Sequence, residues 1–159
     1  MHITVLCVGK LKEPYLRQAC AEYTKRLGSM CRFEILEVEE ERLPDRPSDA
    51  QITTAIQAEG HRLLSHIPRS AAVIAMCIEG QALASPALAR YLEQLAVGGT
   101  GHAVFLIGGS WGLSDEAKGA ADLRLSMSAM TFPHQLARVM LCEQLYRAAQ
   151  ISSGGKYHK

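Results

Sequence analysis

The stretch Phe105-Leu-Ile-Gly-Gly-Ser-Trp-Gly112 joins a short apolar run to a loop of small and hydroxyl residues. A second stretch of the same kind, Leu125-Ser-Met-Ser-Ala-Met-Thr-Phe-Pro-His134, follows soon after it. Each apolar run predicts a strand, and each loop leads into a predicted helix. Gly108 and Gly109 let a ligand approach the main chain, and either can adopt a positive φ. Together the two loops predict a pocket lined by backbone N–H and C=O groups, which can recognise a nucleoside. Taken singly, the first loop fits a tight strand-to-helix turn equally well, and the second is better explained as a packed connector.

Strands and helices alternate on both sides of these loops. Apolar or alternating runs predict strands at Ile3–Val8, Phe33–Val38, Ala71–Ile78 (ending at a Glu79-Gly80 turn), His102–Ile107 and Leu123–Ser126. Apolar spacing and capping signals predict helices over Glu13–Leu27, from the Ser48-x-x-Gln51 capping box to His66, from an N-cap at Ser85 to Val97, after Ser114, and over His134–Ile151. Without an internal repeat or linker, this alternation predicts one α/β domain over residues 1–159, with a mostly parallel sheet flanked by helices.

The composition is that of an ordinary globular protein. Of 159 residues, 48% are hydrophobic and 21% are charged, and the net charge is only +1, so a nucleic-acid surface must be a local patch. No apolar run approaches the ~20 residues of a membrane span, and Ile3–Val8 is too short for a signal peptide. The five cysteines form no C-x-x-C or Cys/His cluster, which predicts reduced thiols, no metal site and a cytoplasmic protein.

Charged residues interrupt a last helix that is otherwise apolar. His134 and Arg138 share one face at i, i+4 spacing directly after the pocket loop, and we expect them to be functional. Glu143 and Arg147 have the same spacing, but a simple surface ion pair explains them better. The helix is apolar nearly all round over Leu136–Ala149, which in so small a domain predicts a homodimer interface.

The chain ends in an aromatic and basic tail, Gly154-Gly-Lys-Tyr-His-Lys159. Lys156, Tyr157, His158 and Lys159 combine a ring that can stack on a base with charges that can hold phosphate. Polar termini are usually frayed ends, and on these residues alone that interpretation is favoured. If the tail is functional, we expect it to reach away from the last helix and bind RNA, without a part in folding or in cofactor binding.

Taken together, these residues resemble the SPOUT class of methyltransferases, and most closely the ribosomal RNA large subunit methyltransferase H family. The resemblance runs from Ile3-Thr-Val-Leu-Cys-Val-Gly-Lys-Leu-Lys12 to Tyr157-His-Lys159 and is most specific in Phe105–Gly109, Ser126–Gln135 and Arg138–Ala148. It implies an enzyme that uses S-adenosylmethionine to methylate N3 of a pseudouridine in helix 69 of 23S rRNA on the ribosome. It also implies a homodimer and a C-terminal trefoil knot, which no pattern in the sequence indicates.

The resemblance also implies which residues form the cofactor pocket. They are Met76, Gly108, Met127, Ser128, Ala129, Met130, Thr131 and Phe132. Met76 stands where the family often has Leu, a change that conserves apolar volume. Gln81 stands where relatives often carry Lys, and losing that cation would weaken RNA binding if it contacts RNA. Trp111 lies at a position that varies in the family, so we assign it no role.

The implied chemistry limits what the pocket must supply. Methyl transfer from a sulfonium to nitrogen is an in-line displacement, so positioning the reactants is the main task. Because the N3 proton must also leave, we expect His134 to act as base and Arg138 to stabilise the developing anion. His158, from either subunit, is the alternative base, and no metal is needed.

Two rival functions stay open: a non-enzymatic ribosome-binding factor and a SPOUT methyltransferase that acts on tRNA.

Overall fold

A computed structural model describes all 159 residues and contains five strands and five helices in alternation. The strands are β1 (His2–Val8), β2 (Arg32–Val38), β3 (Ala72–Ala82), β4 (His102–Ile107) and β5 (Leu123–Ser126). The helices are α1 (Pro14–Gly28), α2 (Asp49–Ser65), α3 (Ser85–Val97), α4 (Asp115–Gly119) and α5 (His134–Ser152). Every element predicted from the sequence is present, and most of the bounds agree within two residues.

All five strands form one sheet in the order β2-β1-β4-β3-β5. Every neighbouring pair is parallel, which confirms the predicted α/β class. The carboxyl ends of parallel strands share one edge, so the loops after β4 and β5 open at the same side of the molecule. The first residues of the strands lie at the opposite edge of the sheet. There His2 of β1 lies beside Arg32 of β2 and His102 of β4.

Helices cover both faces of the sheet. Val5 and Phe105 pack in a buried cluster with residues of α1, α3 and α5. Leu6 and Leu106, the next residues along the same strands, pack on the other face with residues of α2 and α4. Burial on both faces is the reason that β1 and β4 are almost continuously apolar in sequence.

Strand β3 continues beyond its predicted end. Glu79-Gly80 was predicted to be a turn, but β3 pairs with β5 at Met76 and again at Gln81, with a register shift between them. A shift of this kind is typical of a bulge. Gly80 is needed there because a Cβ atom at this position would lie 2.7 Å from the main-chain carbonyl carbon of Arg124.

The helix starts show which capping predictions hold. Ser48 and Gln51 form the predicted capping box at the start of α2. Ser114 caps α4 by accepting a hydrogen bond from the Ala117 N–H at 3.1 Å. Ser85 was predicted to cap α3, but it is the first helical residue and makes no capping bond. Its hydroxyl instead donates to the Gln144 side chain at 2.6 Å, which ties α3 to α5.

The five cysteines differ in their burial, and Cys77 is only half-buried although it lies in an apolar run. All five are free thiols, and Cys7, Cys20 and Cys142 are buried. Burial raises the pKa of Cys7 to about 12, so this thiol has little thiolate character at neutral pH.

None of the helices is long and apolar enough to span a lipid bilayer.

Candidate functional site

A cavity of about 900 Å³ lies where β3, β4 and β5 end. Its volume falls in the range of roughly 300–1,000 Å³ that is usual for small-molecule sites. Eleven of its 21 lining residues are hydrophobic, and most of the remainder come from the loops after β4 and β5. Apolar walls with polar loop groups suit a ligand that is itself partly polar and partly apolar.

The structure brings the residues implied by the family resemblance into this one cavity. Those that line it are Met76, Gly108, Met127, Ser128, Met130, Thr131 and Phe132, which come from three separate segments of the chain. Ala129 belongs to the same loop but is exposed and does not line the cavity. Their role in binding a cofactor stays a prediction.

Three glycines shape the loop after β4. Gly112 has the positive φ, of 83°, whereas Gly108 and Gly109 do not, so the predicted left-handed positions were wrong. A Cβ atom at Gly108 would lie 2.3 Å from the main-chain carbonyl carbon of Gly112. The Gly112 N–H closes the loop by donating to the Gly109 carbonyl at 3.1 Å. Glycine at position 108 is therefore required by the packing of the loop itself.

The loop after β5 keeps its main chain available to a ligand. None of the backbone–backbone hydrogen bonds of turns and loops involves residues 127–132. Ser128 organises the loop, because its hydroxyl accepts from the Met130 N–H and its carbonyl accepts from the Ser126 hydroxyl, both at 3.0 Å. Backbone groups without an internal partner bind water or a ligand. Together with the apolar walls, this loop fits a nucleoside cofactor.

His134 lines the cavity at the first residue of α5. Burial is the main cause of a pKa below the usual histidine value; Glu40 opposes the shift, while Arg138 and Lys12 add to it. The positive end of the helix dipole also disfavours a charged ring at this position. The imidazole is therefore neutral near neutral pH, which is the form that can accept a proton.

Arg138 does not reach the cavity, contrary to the expectation of a cation facing the reacting base. Only 1% of this residue is exposed. Its Nη1 donates to Glu37 Oε1 at 2.5 Å and its Nη2 donates to the Gly9 carbonyl at 2.8 Å, while its Nε is buried without a partner. The guanidinium thus ties α5 to β2 and to the residue that follows β1. Sequence reasoning missed Glu37 because Phe33–Val38 alternates apolar and acidic residues, a pattern that indicates acidic side chains facing solvent.

The C-terminal tail folds back onto α5, whereas it was expected to reach away. Gly154 has a φ of 70°, which lets the chain turn after the helix. The Tyr157 hydroxyl donates to Glu143 at 3.1 Å. The Tyr157 ring lies edge-on to Tyr146 with centroids 4.8 Å apart, and the Arg147 guanidinium sits 4.7 Å from its centroid. The expectation that the tail has no part in folding was therefore wrong for Tyr157.

The remaining tail residues stay outside the cavity of their own protomer. Lys156, His158 and Lys159 are exposed, and none of them lines the cavity. His158 Nδ1 lies 3.5 Å from a guanidinium nitrogen of Arg147. The predicted ion pair of Arg147 with Glu143 is confirmed, at 2.5 Å. The assignment of His158 as a base can apply only to a partner's cavity and stays a prediction.

The structure adds cavity residues that sequence reasoning left unassigned. Trp111 lines the cavity and is 53% exposed, so its indole is available to a ligand. Lys118 and Glu79 also line the cavity and form an ion pair at 2.5 Å. Bonding to Lys118 is the main reason that the pKa of Glu79 lies below its usual value. Lys118 could have been found as the cation that follows the first loop, but Glu79 had been placed in a turn.

Comparisons with known proteins identify the family of this chain. Residues 1–158 match the family described as "Predicted SPOUT methyltransferase". The chain is 45% identical to the ribosomal RNA large subunit methyltransferase H of Clostridioides difficile and 49% identical to that of Bifidobacterium adolescentis, over 100% of this chain and of each relative. A probable methylase family protein from Haemophilus influenzae Rd KW20 shares the fold, with a TM-score of 0.54, 13% identity and coverage of 99% of this chain and 70% of that one. The chain therefore belongs to the SPOUT methyltransferases, within the family of ribosomal RNA large subunit methyltransferase H.

Proposed function

We propose that this protein uses S-adenosylmethionine to methylate N3 of a pseudouridine in helix 69 of 23S rRNA on the ribosome. The observation that carries the proposal is the cavity of about 900 Å³ into which the loops of residues 108–112 and 127–132 converge, with His134 in its wall. The relatives that match over their full length are named as methyltransferases of large-subunit ribosomal RNA, which supports this class of substrate. As a cytoplasmic enzyme, the protein would meet its target on assembled ribosomes.

The cavity residues would hold the cofactor through two kinds of contact. Met76, Met127 and Phe132 supply apolar surface, and the main chain of residues 127–132 supplies hydrogen-bonding groups. S-adenosylmethionine, when bound, provides a methyl group on a sulfonium. The protein's task is then to align the target nitrogen with that methyl group and to keep competing water out.

His134 is the group we assign to the N3 proton. It is half-buried, lines the cavity and has a lowered pKa, so its neutral ring can accept the proton as the nitrogen is methylated. We assign Arg138 a positioning role, because its bonds to Glu37 and Gly9 fix α5 one turn beyond His134. His158 of a partner subunit is the alternative base.

We also propose that the active form is a homodimer built on α5. A second cavity, of about 530 Å³, lies beside the first and shares Met76, Leu125 and Met127 with it. Val139 and Met140 line this groove, and its lining residues are mostly hydrophobic. A second copy of the chain would cover this surface and bring its own basic tail towards the bound RNA. The C-terminal trefoil knot implied by the family stays a prediction.

Cofactor binding and mass mapping of rRNA test the proposal. Calorimetry in the presence of EDTA should show one S-adenosylmethionine bound per chain, and S-adenosylhomocysteine should bind as well. Mass mapping of 23S rRNA from cells with and without the protein should place one methyl group on a pseudouridine of helix 69. Absence of cofactor binding would favour a ribosome-binding factor. A methyl group that appears on tRNA and not on rRNA would favour the other rival.

A further inference from the structure

Potential metal ligands meet at the sheet edge opposite the cavity. His2 is the first residue of β1, His102 is the first residue of β4, and Glu34 lies near the start of β2. The parallel register places His2 opposite His102, and Thr4 opposite Glu34. Because residues two apart on a strand share a face, all four side chains stand on one side of the sheet.

The ligand atoms of this cluster converge on the Thr4 hydroxyl. His2 Nε2 lies 2.8 Å from Glu34 Oε1. Thr4 Oγ1 lies 2.9 Å from His102 Nε2, 3.1 Å from Glu34 Oε1 and 3.5 Å from His2 Nε2. The two imidazole rings are stacked, with centroids 3.9 Å apart and planes inclined by 18°, so they present their Nε2 atoms side by side.

Two imidazole nitrogens and one carboxylate oxygen are a common ligand set for divalent transition metals. Zinc takes such ligands at about 2.0–2.2 Å, and three protein ligands with a water molecule complete a tetrahedral site. The candidate ligand atoms of His2, Glu34 and His102 already lie within 4.8 Å of one another. Small side-chain rotations would bring them to one ion. The side chains of His2 and Glu34 are 17% and 39% exposed, which leaves a path for the metal to enter.

We propose that His2, Glu34 and His102 form a binding site for a divalent transition metal such as Zn²⁺. The metal takes the place of the Thr4 hydroxyl at the two Nε2 atoms, while that hydroxyl keeps its hydrogen bond to Glu34. Strand β4 separates the site from the cavity by its six residues, about 20 Å at roughly 3.3 Å per residue. The metal takes no part in methyl transfer at that distance. It joins β2, β1 and β4 at their beginnings and stabilises that end of the sheet.

Metal titration of the purified full-length protein tests the site. After dialysis against EDTA, calorimetry with ZnCl₂ should show one equivalent bound. The melting temperature should rise by roughly 5–10 °C at a hundredfold excess of Zn²⁺ over its Kd. The absorption spectrum with CoCl₂ should lack a thiolate-to-cobalt charge-transfer band, which distinguishes this site from binding by any of the five cysteines.

Variants decide which residues carry the binding. His102→Gln and Glu34→Gln should each weaken Zn²⁺ binding at least tenfold while leaving the metal-free melting temperature within a few degrees of the wild-type value. His61→Gln is the matched control, because His61 pairs with Glu116 at 2.9 Å on the surface without a third ligand, and it should bind Zn²⁺ as the wild type does. If the wild type shows no one-to-one binding, or if Glu34→Gln and the double variant His2→Gln/His102→Gln bind as tightly as the wild type does, the proposal is wrong.

Discussion

His134 combines the two properties that a proton acceptor in this cavity needs. It faces the cavity from the first residue of α5, and burial lowers its pKa from the ordinary value of 6.5. Glu40 opposes that shift and is the acidic neighbour that could stabilise the imidazolium formed after proton transfer. A neutral imidazole can accept a proton, and a nearby carboxylate stabilises the positive charge that results.

The pH dependence of methylation follows from the lowered pKa of His134. The single-turnover rate should fall as the His134 ring of the folded enzyme protonates, with a midpoint below the ordinary histidine value of 6.5. The same shift contributes to the free energy of unfolding: the contribution is complete above 6.5 and is lost as pH falls through the folded-state pKa. His134→Gln should lower the rate by about 10²–10⁴-fold and remove this pH step. A profile that His134→Gln leaves unchanged would exclude this residue as the base.

Arg138 should matter for stability more than for chemistry. Arg138→Met leaves the Glu37 carboxylate and the Gly9 carbonyl without their donor. We expect the free energy of unfolding to fall by about 3 kcal/mol, the low end for a broken buried pair, because the Glu37 side chain is 32% exposed. Urea denaturation measures the loss. Glu37→Gln combined with Arg138→Met should recover part of it, and full additivity of the two changes would argue against a direct pair.

At the scale of elements, the loop after β4 depends on two glycines for different reasons. Gly108→Ala places a Cβ atom against the Gly112 main chain, so the loop must move. We expect S-adenosylmethionine affinity to fall at least tenfold in calorimetry.

In Gly112→Ala the added Cβ atom has no neighbour within 4 Å, but the residue has a φ of 83°. The strain should lower the free energy of unfolding by about 1–2 kcal/mol. Gly119→Ala in α4 also meets open space, without a positive φ, and should leave affinity and stability unchanged.

The tail should serve both α5 and the RNA substrate. Deleting Lys156–Lys159 removes the bond from Tyr157 to Glu143 and the ring contacts with Tyr146, so thermal unfolding should show a loss of about 1 kcal/mol. Because no tail residue lines the cavity of its own protomer, S-adenosylmethionine affinity should change little. Ribosome methylation should fall steeply. Tyr157→Phe loses only the hydrogen bond, and if its ribosome methylation falls as far as that of the deletion, the basic residues are not what the RNA requires.

At the scale of the whole molecule, the exposed part of α5 predicts self-association. Met140 and Val139 line the groove of the second cavity, and Leu136 is 40% exposed. Sedimentation velocity should show a dimer at micromolar concentration, and Met140→Asp should convert it to a monomer by placing an unpaired carboxylate in the interface. Val97→Asp is the control, because Val97 is an apolar residue, 90% exposed, at the end of α3. A wild-type monomer would contradict the interface.

Val139→Asp and Tyr146→Asp are less direct tests of the same interface. Val139 packs against a buried cluster that contains Leu11 and Leu16, and Tyr146 contacts Tyr23 and Tyr157. A carboxylate at either position should therefore lower the stability of the protomer as well as its association. Thermal unfolding measured beside sedimentation separates these two effects.

The sequence by itself determined the elements and the two loops that meet at the cavity. A continuous apolar run such as Ile3–Val8 indicates a strand covered on both faces. This is typical of parallel sheets and can be predicted without knowing which strands lie beside it. Spacing along one helix predicts the pair of Glu143 with Arg147, because residues four apart on a helix are always adjacent. The two pocket loops could be identified because each stands directly after an apolar run, and parallel strands bring such loops to one edge.

Only the tertiary structure decided which distant side chains meet. Arg138 binds Glu37, which is 101 residues away in the sequence. His2, Glu34 and His102 lie together because the strand order β2-β1-β4 places their strands side by side. The return of Tyr157 to Glu143 depends on a turn after α5 that polar residues alone did not predict. Local spacing fixes neighbours within one element, whereas strand order and register follow from burying all the apolar faces at once. Pairs between elements therefore depend on the whole sheet and cannot be deduced from any single stretch of the chain.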